Sequence, residues 1–286
     1  HRCLSADVRI YHTACDSTDS KVLQSDRVTF QQSDSLCLSP QSLQKPAEQQ
    51  SMTHDFISLK ADDKSGTFDG YLAMPPSGTG PGLVLIQEIF GVNHTMREVA
   101  NSYAQKGYVV LVPDLFWRQQ PNIKLGYTPD EWQKAFGYYK AMNELKGIED
   151  IQTSITTLRT HPAVKGKVGV LGFCMGGKLA YLTACRTDVD VAVGYYGVGI
   201  ESALDEAKNI TCRLVLHIAH LDQFCPPEAQ QKIQQALGEK NSFEVYVYPD
   251  VAHAFARPGG DHFDTAAAEL SQIRSIAAIK AEIGPY

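Results

Sequence analysis

The sequence lacks the features that would direct a reading toward membranes, secretion or nucleic acid. None of its apolar runs reaches the roughly 20 residues needed to cross a bilayer. Its N-terminus has no apolar signal-peptide core. There is no run of Lys and Arg, and the net charge is −6; both argue against a general nucleic-acid binder. No CxxC pair occurs. The seven cysteines, at positions 3, 15, 37, 174, 185, 212 and 225, are odd in number and scattered. That is expected of reduced thiols in a cytoplasmic protein, not of a disulfide framework. Cys185 and Cys212 sit in apolar sequence and read as core residues. No internal repeat is visible. What is present is ordinary for a globular chain. Its 286 residues, 43% apolar and 20% charged, suffice to bury a sizeable core.

The first 51 residues differ from the rest. They are rich in Ser, Gln, Asp and Thr, and a stretch such as QQSDSLCLSPQSLQKPAEQQS cannot bury enough apolar surface to offset its ordering entropy. Folded-type sequence begins abruptly with SMTHDFISLK. The expectation is a disordered or non-native extension over 1–51, a natural start at Met52, and a single domain over 52–286.

From Met52 onward, strand and helix signals alternate. FISLKA and TFDGYLAMP read as two short strands joined by a turn over Asp62 to Gly66. GLVLIQE, YVVLVPD and KVGVLGF are continuous apolar runs, as expected of strands covered on both faces. DVAVGYY, RLVLHIA and FEVYVYP follow as further strands. Helical patterns lie at Thr95 to Lys106, across 129–160, over MGGKLAYLTACR, at Pro226 to Leu237 and at Asp264 to Ile283. This alternation predicts an α/β fold with a doubly wound, mostly parallel sheet and helices on both faces.

One segment carries chemistry by its context. Gly172-Phe173-Cys174-Met175-Gly176 has the G-x-S-x-G pattern of a nucleophile turn, between a strand and a helix, with cysteine in place of serine. The turn would raise Cys174 at the C-terminal edge of the sheet, where open α/β folds bind ligands. A helix N-terminus there favours the ionised form of a thiol. The Met175 amide is positioned to stabilise an oxyanion. The bland alternative is a small buried residue chosen for packing. A nucleophile needs a base, and the base an orienting acid. Asp222 follows RLVLHIA and His253 follows FEVYVYP. Both fall on the same sheet edge as Cys174, in the chain order nucleophile, acid, histidine.

Other candidates are weaker alone. His217 and His220 with Asp222 and Cys225 suggest a metal site, but His217 lies inside a strand, and alternation sends it to a different face from its neighbours. No metal is expected. His54, His94, His161 and His262 read as surface or loop residues. Glu88, at the end of LVLIQE, is either a solvated strand end or an acid beside Cys174 able to take the thiol proton. In the second case the Ile89 amide would be the second oxyanion donor.

QEIFGVN, PDLFWR, GFCMGG, GYYGVG, Asp222 and HAFAR together resemble the dienelactone hydrolase family, from Met52 to the C-terminus and in the family's order. The resemblance implies the α/β-hydrolase fold and a carboxymethylenebutenolidase-like activity on a lactone, with the triad Cys174, Asp222 and His253. It implies that Glu88 is held by Arg257 at rest and is freed when a substrate carboxylate engages the arginine. Tyr195 matches a family active-site tyrosine. Trp132 and Phe136 stand where the family's best-studied members carry an arginine and a tyrosine for the substrate carboxylate; Lys134, Tyr138 or Tyr139 would have to substitute. The expected protein is a monomeric cytoplasmic hydrolase of a small activated ester or lactone, without cofactor. A thioesterase or general carboxylesterase would use the same residues. A ligand-binding protein without turnover is another class, as is a redox sensor with Cys225 near Cys174.

Overall fold

The structure is a computed structural model that describes residues 54–238 and 241–284. The chain divides into two units, His1–Glu48 and Gln49–Tyr286; every described residue belongs to the second. The expectation for 1–51 and the start at Met52 therefore lie outside the described residues.

The apolar runs become the middle of one eight-stranded sheet. β1 (His54–Lys60) and β2 (Thr67–Ala73) form an antiparallel edge. β3 (Gly80–Ile86), β4 (Val109–Pro113), β5 (Val164–Phe173), β6 (Val191–Tyr195), β7 (Arg213–Ala219) and β8 (Phe243–Tyr248) run parallel to one another. The spatial order is β1-β2-β4-β3-β5-β6-β7-β8. The chain winds from β3 out to β4 and then crosses back to β5, so β3 and β5 flank the point where winding reverses. In open α/β sheets the crevice beyond the strand ends at such a point is where ligands bind.

Alternating side chains of β3 feed two cores. Leu83 and Leu85 pack with α1 (His94–Gln105) and α6 (Thr265–Ile283). Val84 and Ile86 pack with α3 (Glu144–Thr160), α4 (Met175–Arg186) and α5 (Pro227–Leu237). All four are 0% exposed, each stabilising the fold by about 1.5–3 kcal/mol relative to exposure.

The helical stretch expected over 129–160 is two helices. α2 (Pro129–Ala141) opens on a Thr128–Glu131 capping box, and Met142 then leaves the helix at φ −68°, ψ 129°. Asn143 restarts it as α3, its side chain accepting from Lys146 N–H at 3.2 Å. The apolar period continues across this break, and a cap is visible only from the backbone. A 3₁₀ segment, Ile200–Asn209, follows Gly199 at φ 83°, where the sequence predicts no element. Among the described residues no helix is long and apolar enough to cross a membrane.

Candidate active site

β5 ends at Phe173 and α4 begins at Met175, so Cys174 alone makes the turn. Its backbone lies at φ 57°, ψ −117°, a strained conformation that costs a residue bearing Cβ about 1–3 kcal/mol. Hydrogen bonds lock it. The Cys174 N–H donates to the Tyr195 carbonyl at 3.0 Å, and the Cys174 carbonyl accepts from Gly177 N–H at 2.9 Å. Helix α4 lies directly on the strand ends because Gly172 and Gly176 have no side chain. A Cβ on Gly172 would strike the Gly176 carbonyl, and one on Gly176 the Ile86 carbonyl. Met175 is the first residue of α4, where amides have no intrahelical acceptor. Among the described residues neither the Met175 nor the Ile89 N–H has a hydrogen-bond acceptor.

Asp222 follows β7 and His253 follows β8. Asp222 Oδ2 and His253 Nδ1 are 2.8 Å apart, and Asp222 Oδ1 accepts from Phe224 N–H at 2.8 Å. Asp250 and Ala254, on either side of the histidine, have φ 59° and 66°. The imidazole is wedged between Tyr196 and Phe224, with ring centroids 5.0 and 4.9 Å away. With Nδ1 committed to Asp222, the free nitrogen is Nε2, which is buried and has no hydrogen-bond partner among the described residues. Burial lowers the His253 pKa, but the Cys174 sulfur's charge and Asp222 outweigh burial and raise it to about 10.

Glu88 is not a solvated strand end: it is 0% exposed. Arg257 Nε lies 3.2 and 3.0 Å from its two carboxylate oxygens, and Nη2 lies 3.0 Å from Oε1. The guanidinium also rests over the Tyr127 and Phe90 rings, 4.6 and 5.4 Å from their centroids. Burial opposes the Arg257 charge, and Glu88 outweighs it. Gln87, for which the sequence suggests no role, braces this corner. Its Nε2 donates to the Glu88 carbonyl at 3.2 Å, and its Oε1 accepts from Leu115 N–H at 3.2 Å.

Two cavities meet over these groups. A small one of about 40 Å³ opens on Cys174 and is walled by Ile89, Trp132, Phe136, Tyr139, Val198 and Phe224. A larger one of about 170 Å³ opens on His253 and Arg257 and carries Tyr127, Gln223, Asp261 and His262. Trp132 and Phe224 wall both. His262 is the exposed loop residue expected, and from that loop its Nδ1–H donates to the His253 carbonyl at 3.0 Å. Of the three suggested substitutes for an arginine, Tyr139 reaches the small cavity. The Tyr138 hydroxyl donates to Gln120 Oε1 at 2.6 Å, and Lys134 is exposed.

Tyr195 lines neither of these two cavities. Its ring stacks on Phe173 at 4.7 Å and its hydroxyl bonds Ser275 Oγ on α6 at 2.7 Å. Successive side chains leave a strand on opposite faces, so one of the paired tyrosines has to go beneath α6. The one at the site is Tyr196, at φ 37°. Its hydroxyl is buried and has no hydrogen-bond partner among the described residues. Burial raises its pKa first, and the Glu88 charge raises it further.

His217 also belongs to the α6 side, with Nδ1 2.9 Å from Tyr248 Oη and Nε2 2.8 Å from Ser275 Oγ. Burial, then Arg274, lowers its pKa to about 3. Among the described residues no cluster of His, Cys, Asp and Glu is arranged to hold a metal ion. Cys225 is buried, and burial followed by the Asp222 charge pushes its thiol up to about 12. A thiol held in its protonated form is a poor resolving partner for Cys174.

A mostly parallel eight-stranded sheet with a Gly-Phe-Cys-Met-Gly turn after β5, an acid after β7 and a histidine after β8 defines an α/β-hydrolase. The dienelactone hydrolase family profile matches residues 68–282. A protein of Azospirillum brasilense is 42% identical over 233 residues, covering 80% of this chain and 99% of its own. The carboxymethylenebutenolidase of Pseudomonas putida is 35% identical over 227 residues, covering 79% of this chain and 95% of its own. A crystal structure from Klebsiella pneumoniae shares the fold with a TM-score of 0.70 at 22% identity, over 80% of this chain and 98% of that one. The chain belongs to the dienelactone hydrolase family, and with it to the carboxylic ester hydrolases.

Proposed function

We propose that the protein hydrolyses an activated ester or lactone through an acyl-enzyme on Cys174. The observation that carries this reading is the free Nε2 of a histidine whose other nitrogen is tied to Asp222 at 2.8 Å, beside a cysteine on a strained strand-to-helix turn. The Cys174 thiol passes its proton to His253 Nε2, and its sulfur attacks the carbonyl carbon. The carbonyl oxygen becomes an oxyanion held by the Ile89 and Met175 amides. The tetrahedral adduct collapses, the C–O bond breaks, and His253 protonates the leaving oxygen. His253 then takes a proton from water, which attacks the thioester and releases the acid. Thiolate is a good leaving group, so activated esters suit this site better than peptide amides.

Glu88 is the second proton acceptor. While Arg257 binds both its oxygens, Glu88 is unavailable. An anionic substrate group at Arg257 would compete for the guanidinium and release the carboxylate toward the thiol. Relatives named carboxymethylenebutenolidase support a lactone of that kind. All groups come from one chain, which we take to act as a monomer, and a working thiol suits the reducing cytoplasm. The test is turnover of dienelactone and of p-nitrophenyl esters by the wild type and Cys174→Ala, with mass spectrometry for an acyl adduct on Cys174. Hydrolysis retained by Cys174→Ala would end the proposal.

A further inference from the structure

We propose that the site selects substrates whose acyl half is uncharged, short and apolar, while polarity or negative charge sits on the leaving half. This deepens the reading of Cys174 as nucleophile and rests on it. The two halves of an ester must part in different directions here. The acyl carbon is bound to the Cys174 sulfur and its oxygen lies at the Ile89 and Met175 amides, all three of which border the small cavity. The leaving oxygen must meet His253 Nε2, and His253 borders the large cavity instead. The acyl substituent therefore runs between Trp132, Phe136 and Phe224, and the leaving group runs toward Gln223, Arg257 and His262.

The walls decide the chemistry. Among the described residues no charged side chain lines the small cavity. Trp132 is fixed edge-on to Phe90 at 5.2 Å and is stacked with Phe136 at 6.2 Å, so aromatic rings fill the space a cation would need. Lys140, on α2, keeps its Nζ at 5.3 Å from the Phe136 ring centroid and is exposed. Arg257 is committed to Glu88 and opens on the other cavity. A carboxylate on the acyl side would be desolvated without a partner, whereas a flat or short apolar group gains contact with the rings. The volume of about 40 Å³ limits the group to a few carbons.

The test compares two esters with the same leaving group, p-nitrophenyl butanoate and p-nitrophenyl hydrogen succinate, on the full chain. Expected is a kcat/KM ratio favouring butanoate by roughly tenfold or more over the ratio in alkaline hydrolysis. Trp132→Arg should narrow or invert that preference. A wild type that takes the succinate ester equally well would overturn the proposal, as would an unchanged ratio in folded Trp132→Arg. Equal rates in Cys174→Ala would instead remove the nucleophile reading, and this proposal with it. A second measurement needs no variant at position 132. Iodoacetamide should alkylate wild-type Cys174 faster than iodoacetate, by roughly tenfold more than either reagent's preference for free cysteine predicts; the reverse order would refute the apolar acyl site.

Discussion

Removing the Arg257 guanidinium should damage the fold more than removing both charges of its pair. In Arg257→Met, Glu88 stays buried and loses all three hydrogen bonds that the guanidinium gives its carboxylate. Gln87 cannot replace them, because it bonds only the Glu88 backbone. Leaving a buried charge without its partner costs about 3–5 kcal/mol. For a domain of this size each kcal/mol moves the melting midpoint by about 2–4 °C, giving an expected fall of roughly 6–20 °C. Glu88→Gln strands the guanidinium, although the Tyr127 and Phe90 rings still cushion it, so its cost should be smaller. The double variant Glu88→Gln/Arg257→Met keeps volume and removes both charges. It should melt above Arg257→Met, with a coupling energy of about 2 kcal/mol or more. Thermal and urea unfolding of the four proteins measures this cycle. Additive losses would mean that the two groups do not depend on each other, and a trigger that exchanges one carboxylate for another at Arg257 would have no basis.

Two further outcomes follow from the nucleophile turn. The His253 pKa is raised above its ordinary 6.5, to about 10, with the Cys174 charge as the main raising influence, so its imidazole resonances should titrate at lower pH in Cys174→Ala. A raised folded pKa contributes stability that is complete below about pH 6.5 and is lost as pH climbs through about 10; the wild type should therefore lose more stability than Cys174→Ala across that window, and matching pH profiles would refute the coupling. Cys174→Gly should melt above Cys174→Ala by about 1 kcal/mol, or roughly 2–4 °C, because glycine adopts the turn's positive φ without strain. Equal midpoints would mean the turn stores no strain.

Most of the sheet was legible because buried parallel strands are written as unbroken apolar runs, and Leu83 to Ile86 could hardly be anything else. The order of Cys174, Asp222 and His253 along one edge was legible for the same reason: each follows a recognisable strand. What stayed hidden depends on partners distant in sequence. Nothing local to LVLIQE distinguishes a solvated Glu88 from a buried one; its burial is set by Arg257, 169 positions away. The exchange of Tyr195 for Tyr196 is different, because alternation along β6 decides it without a distant partner. Strict alternation from Val191 and Val193 would have placed Tyr195 beneath α6 with them. The break at Met142 leaves no mark in the apolar period.

The aromatic wall gives the molecule a built-in optical reporter. The chain has two tryptophans. Trp117 lies away from both cavities, its Nε1–H donating to Asp150 at 2.8 Å and its ring stacked on Phe68 at 5.5 Å. Trp132 walls both cavities. In Trp117→Phe all indole emission would come from the residue that a ligand must touch on either side. Acylation at Cys174 and occupancy near Arg257 would then be followed in one fluorescence trace, as two phases separable by their dependence on the sulfur.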